Sequence, residues 1–110
     1  MNMETITGDT ISSEVVQNYF KSLVNRFFKI IPIKEENCNS LTTYMKSLQK
    51  ELIGCKNLIN FLNNDALFLS LISILQFFID NPDCEVGEIR REVFHAISIC
   101  NKLKAKCANQ

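Results

Sequence analysis

Residues 41–62, LTTYMKSLQKELIGCKNLINFL, decide how this chain folds. Their apolar members Leu41, Met45, Leu48, Leu52, Cys55, Ile59 and Leu62 are spaced 4-3-4-3-4-3. That is an unbroken heptad seam, the pattern by which one helix lies along another. Tyr44 and Leu58 widen the seam on one side. Gly54, just off it, costs about 1 kcal/mol against alanine and is where a close helix crossing is expected. A second seam lies near the other end of the chain, in Val86, Ile89, Val93, Ala96, Cys100, Leu103 and Cys107, spaced 3-4-3-4-3-4. Two seamed helices of similar length with short connections predict antiparallel neighbours at the shallow crossing angle of a four-helix bundle.

The rest of the chain supplies two further helices. Ser12 is a good N-cap, with Ile11 before it able to staple onto Val16. After it, apolar pairs recur every four residues: Val15-Val16, Tyr19-Phe20, Leu23-Val24, Phe27-Phe28, then Ile31. Because a helical turn is about 3.6 residues, this stripe winds around the helix and touches two neighbours or a second subunit. Pro32 closes that segment and Pro82 separates the last two. Asn63-Asn64-Asp65 reads as a turn and cap. From Ala66 to Ile79 eleven of fourteen residues are apolar, the exceptions being Ser70, Ser73 and Gln76, so this helix is expected to be the most buried. Its fourteen residues rise about 21 Å against a hydrocarbon core of about 30 Å, too little to span a bilayer. The last helix is expected to be capped by Asp83 and to end in Lys102, Lys104 and Lys106, complementing its dipole.

The predicted helices cover 12–31, 40–62, 65–80 and 84–106. No segment alternates with period two, so no strand is predicted. The expected fold is all-α, an antiparallel up-down-up-down four-helix bundle formed by one domain over residues 1–110. The loop from Pro32 to Asn39 is too short for a full-length crossover.

Composition narrows the function. Twelve basic and twelve acidic side chains leave no net charge to draw the chain toward nucleic acid or anionic lipid. The N-terminus has no basic stretch followed by an apolar run, so no secretory signal is expected. Five cysteines, Cys38, Cys55, Cys84, Cys100 and Cys107, are an odd number without a Cys-x-x-Cys pair, which favours reduced thiols and a cytoplasmic protein. Twelve Asn, thirteen Ile and nine Lys against three Arg point to an AT-rich bacterial or phage genome.

Few residues can carry chemistry. Glu92 and His95 have the Glu-x-x-His spacing of di-iron bundles, but His95 is the one histidine and falls on the polar side of its helix, so no metal or other cofactor is expected. Arg90 and His95 form an Arg-x4-His string on a helix, which resembles the motif of the HEPN ribonuclease family, small helical bundles that dimerise to bring two such motifs together. The resemblance covers six residues. It implies RNA cleavage, with His95 acting on the ribose hydroxyl or leaving oxygen and Arg90 stabilising the phosphorane charge. The alternative is a solvated face in which Glu88, Arg91 and His95 make ordinary helix contacts. Lys102, Lys104 and Lys106 could touch phosphates, though such a cluster also serves the dipole and solubility.

No phosphate loop, nucleophile elbow or cysteine–histidine dyad is visible, and no small-molecule substrate is evident. The expected function is therefore protein interaction through helix surfaces: a small cytoplasmic adaptor, inhibitor or assembly factor, encoded by a phage or other mobile element. The first helix carries more apolar surface than one bundle core needs. Phe20, Val24, Phe27 and Phe28 are expected to contribute to association with another protein or with a second copy in a two-fold dimer.

Overall fold

A computed structural model of the protein describes residues 2–5, 8–36 and 40–109. Cys38 and the end of the Pro32–Asn39 loop lie outside the described residues. The fold is mostly helical. Each predicted segment is helical, but the first two are each divided. Segment 12–31 becomes α1, Ser13–Phe28, and α2, Ile30–Glu35. Segment 40–62 becomes α3, Leu41–Leu58, and α4, Asn60–Asn63. The others are α5, Ala66–Asp80, and α6, Val86–Ala108.

Pro32 explains the first division. It has no N–H to give the carbonyl of Phe28 four residues back, and its ring crowds that carbonyl. α1 therefore stops at Phe28. Pro32 does not end the helical path, as the sequence suggested: it is third in α2, within the first turn, where a missing N–H is tolerated. The second division has a tertiary cause. Ile59 leaves the helix for an extended conformation (φ −105°, ψ 116°) and forms a β-bridge with Thr5.

That bridge attaches a small hairpin that the sequence did not reveal. β1, Asn2–Glu4, pairs antiparallel with β2, Thr10–Ser12, with Met3 opposite Ile11. Strands this short are too brief for an alternating pattern to register. Gly8 turns the chain at φ 90°, a conformation that favours glycine, and its N–H donates to the Thr5 carbonyl at 3.0 Å.

Caps follow the sequence at two of three sites. Ser12 accepts from the Glu14 N–H at 3.2 Å, and Asp65 from the Phe68 N–H at 3.0 Å. At the third, the cap position is Glu85 and not Asp83, because the turn closed by Cys84 N–H on the Asn81 carbonyl holds Asp83 outside the helix.

Buried residues from β1 and from every helix join in one hydrophobic cluster. Both heptad seams face into it. In α1 the winding stripe resolves into Val16, Phe20, Leu23 and Phe27 pointing inward, with Ile30 and Ile31 of α2 continuing the line. α5 buries Phe68, Leu71, Ile74, Leu75 and Phe78 but exposes Leu69 and Phe77, so it is not enclosed on all sides as its composition suggested. α1 makes its most extensive contact with α6, and α3 and α5 make theirs with each other, α5 also packing on α6. Opposite ends meet: Ser13 at the start of α1 bonds the carbonyl of Cys107 near the end of α6, and Asp65 before α5 pairs with Lys106. No helix among the described residues is long and apolar enough to cross a membrane.

Candidate functional site

The four α1 residues expected to mediate association divide between core and surface. Phe20 and Phe27 are fully buried, Phe20 meeting the Phe68 ring edge-on at 6.2 Å. They fill the interior and offer no surface. Val24 is half-buried against the core. Phe28 is 49% exposed.

Phe28 has a partner that the sequence did not single out. Phe94 of α6 is 51% exposed, and the two rings stand edge to face with centroids 6.3 Å apart. Among the described residues this is the aromatic pair with both rings at the surface. Phe94 follows Val93 of the α6 seam, so its position is one step off the core-facing line. The detectable signal was a phenylalanine on the otherwise polar outer face of that helix. Val24, one turn before Phe28, and Ile97, one turn after Phe94, are half-buried and extend the apolar strip along the α1–α6 groove. Arg90, one turn before Phe94, is held at the rim by Glu35 of α2 at 3.4 Å.

Arg90 and His95 are not brought together. Five residues on one helix separate two side chains by about 140°. Arg90 accordingly reaches α2, while His95 Nδ1 lies 3.9 Å from Glu92 Oε1 on its own helix. Both side chains are more than half exposed. The three C-terminal lysines also diverge. Lys102 is exposed, Lys104 half-buried, and Lys106 is bonded to Asp65 with its ammonium 5.6 Å from the centroid of the Phe61 ring. Among the described residues no group of three His, Cys, Asp or Glu side chains could hold a metal ion.

No protein-family model, curated protein or solved structure matches this chain.

One polar cluster escaped the sequence reading altogether. Across α1 and α3, the Tyr19 hydroxyl donates to Glu51 Oε2 at 2.6 Å, and Arg26 grips both Glu51 oxygens, Nη2 to Oε1 at 3.2 Å. The Tyr44 hydroxyl donates to the Arg26 carbonyl at 2.8 Å. The Arg26 bonds hold the Glu51 carboxyl below its ordinary range, and burial followed by the Glu51 hydrogen bond raises the Tyr19 phenol. Each group is satisfied by another of the cluster. Its chemical effect is to fasten α1 to α3, with Glu51 ionised and Tyr19 protonated at neutral pH. The signal was present as two matched pairs, Tyr19/Arg26 and Tyr44/Glu51, each seven residues apart and hence on one helix face.

The described cysteines are free thiols. Cys100 and Cys107 are fully buried, and burial pushes them up to about 12 and about 11 respectively. They behave as small apolar residues and not as nucleophiles.

Proposed function

We propose that this chain is a small cytoplasmic protein-interaction module, an adaptor, inhibitor or assembly factor from an AT-rich bacterial or phage genome. It works through helix surfaces on an up-down-up-down four-helix bundle. In that arrangement α1 with α2, α3 with α4, α5, and α6 are the four antiparallel members. Support for the arrangement comes from the cross-links between opposite helix ends and from Gln49 of α3 donating to the Ile72 carbonyl of α5.

The observation that carries the interaction reading is the Phe28–Phe94 pair. Covering a phenylalanine side chain fully is worth about 1.5–3 kcal/mol, so two half-exposed rings in contact leave a large unused gain at one spot. Aromatic side chains in such a strip, with an arginine at the rim, are what protein contacts use as anchors. A second copy related by a two-fold axis is our first choice of occupant, because the two-fold dimer is the commonest closed assembly.

Light scattering at high micromolar concentration tests this directly. A dimer that becomes a folded monomer in Phe28→Glu and in Phe94→Glu supports a homodimer through this face. A wild-type monomer transfers the face to a heterologous protein. Association unchanged in both variants overturns the assignment of the face.

A further inference from the structure

A second groove runs between α3 and α5 and shares neither helix with the Phe28–Phe94 face. Its volume is about 490 Å³, and it is open along one side. Lys46, Lys50, Gln49 and Ile53 line it from α3, and Gln76 and Ile79 from α5. We propose that this groove docks an acidic amphipathic helix of a partner protein.

Charge points to the partner. Both charged lining residues are lysines, one turn apart on α3, and neither is in an ion pair among the described residues. The alkyl stems of lysines cover apolar surface while the ammonium groups stay in water. Lys46 and Lys50 therefore frame an apolar strip with unneutralised positive charge.

The floor of the groove argues for a helix over a small molecule. Gln49 Nε2 donates to Gln76 Oε1 at 2.9 Å, and Gln76 Nε2 donates to Asp80 Oδ1 at 2.9 Å. These amides are already bonded to one another, and although Thr43 and Ser47 also line the groove, an open groove cannot enclose a compact ligand. The apolar part of the lining is Ile53, 39% exposed, with Ile79 half-buried beside the strip. Those are contacts for apolar side chains spaced along an amphipathic helix. From Thr43 to Ile53 the α3 edge is ten residues long, about 15 Å, which matches roughly three turns of a docked helix. No aromatic ring lines the groove to stack a nucleic-acid base.

The groove is independent of the α1–α6 face. Combined with the α1–α6 face it has a consequence: two faces on separate helix pairs can be occupied together. That is the geometry of an adaptor and not of a simple inhibitor.

The test uses the full chain and a labelled synthetic 18-residue peptide with leucines at heptad positions a and d and glutamates flanking them. Fluorescence anisotropy should give saturable binding that weakens with salt. Reversing both groove charges, Lys46→Glu with Lys50→Glu, should weaken it at least about tenfold, as expected for charges that steer and register a contact. Phe94→Glu should leave it unchanged. Both lysines are exposed, so the double variant should keep its helical circular dichroism, and Ile53→Asp provides a second disruption of the groove. Two-dimensional NMR should confine peptide-induced shifts to the Ile53, Gln76 and Ile79 region. The proposal is overturned by absence of saturable binding, by equal binding of the peptide with lysines in place of its glutamates, or by unchanged affinity in the double variant. Displacement of the peptide by a single-stranded oligonucleotide at lower concentration than the unlabelled peptide also overturns it, in favour of nucleic acid.

Discussion

The hydroxyl of Ser13 donates to the carbonyl of Cys107 across 2.7 Å, joining the first residue of α1 to the last turn of α6. That carbonyl lies in the last turn of α6, where the Asn109 N–H is shared between it and the Lys106 carbonyl, and the hydroxyl completes its bonding in a buried place. Ser13→Ala removes the donor and leaves the acceptor buried. The expected loss is about 1–3 kcal/mol of stability, read from the urea midpoint with unchanged slope.

Phe20 and Phe28 lie eight residues apart on α1 and should respond to very different extents. Phe20→Ala empties a fully buried site and should cost about 3–5 kcal/mol. Phe28→Ala removes a half-exposed ring and should stay within about 1 kcal/mol. Thermal denaturation of the two variants side by side checks the difference.

Asp65 caps α5 and also pairs with Lys106. Asp65→Ala removes both roles, and loss of the cap alone should cost about 0.5–2 kcal/mol. Asp65→Asn keeps a capping oxygen while losing the charge. Its stability should fall between wild type and the alanine variant, and the gap should narrow in high salt.

Stability should decline in acid partly through Glu51. Its carboxyl is held below 4.5 in the folded chain by Arg26, so the unfolded chain takes up the proton first as pH falls. The Glu51 contribution is therefore complete above about pH 4.5 and disappears as pH drops through the lower, folded value. Exposure of the pair keeps the effect modest. Glu51→Gln should flatten that part of a stability–pH curve measured by chemical denaturation.

Buried thiols give the opposite sign. Cys100 and Cys107 are raised to about 12 and about 11 from an ordinary 9.0, so the unfolded chain loses those protons first as pH rises. Stability should fall progressively above pH 9. Under native conditions at about pH 8, iodoacetamide should leave both unmodified, and denaturant should expose both to alkylation. Mass spectrometry of peptides from the two reactions distinguishes them.

The heptad seams were legible because they report one helix's own face. Every member of the α6 seam from Ile89 to Cys107 is buried, and the α3 seam keeps its inward register even past the break at Ile59. The break itself was not legible. It comes from Thr5, a residue 54 positions earlier, whose bridge to Ile59 outweighs the helical preference of the local pattern. Pro32 was visible, but its position as third residue of a new helix, and not as terminator, depended on Ile30 and Ile31 finding space in the core. Site residues divide in the same way. Phe28 was named from the apolar surplus of α1, whereas Phe94 acquires its meaning from a helix 66 residues away. The Tyr19–Glu51–Arg26 cluster likewise depends on which faces of α1 and α3 meet.

The extensive contact between α1 and α6 has a consequence for how the protein is made. Ser13 and its partner Cys107 are 94 residues apart, so roughly 5–20 s of ribosomal elongation separate them. α3 and α5, joined by a short connection, can pair during that interval. α1 has its bonds to Glu51 of α3 and the Phe20–Phe68 contact with α5 in that interval, but α6, the helix it covers most, follows all of these. The face of α1 that α6 covers thus stays bare on the nascent chain for most of its synthesis, which makes α1 the segment where aggregation would begin and where a chaperone would bind.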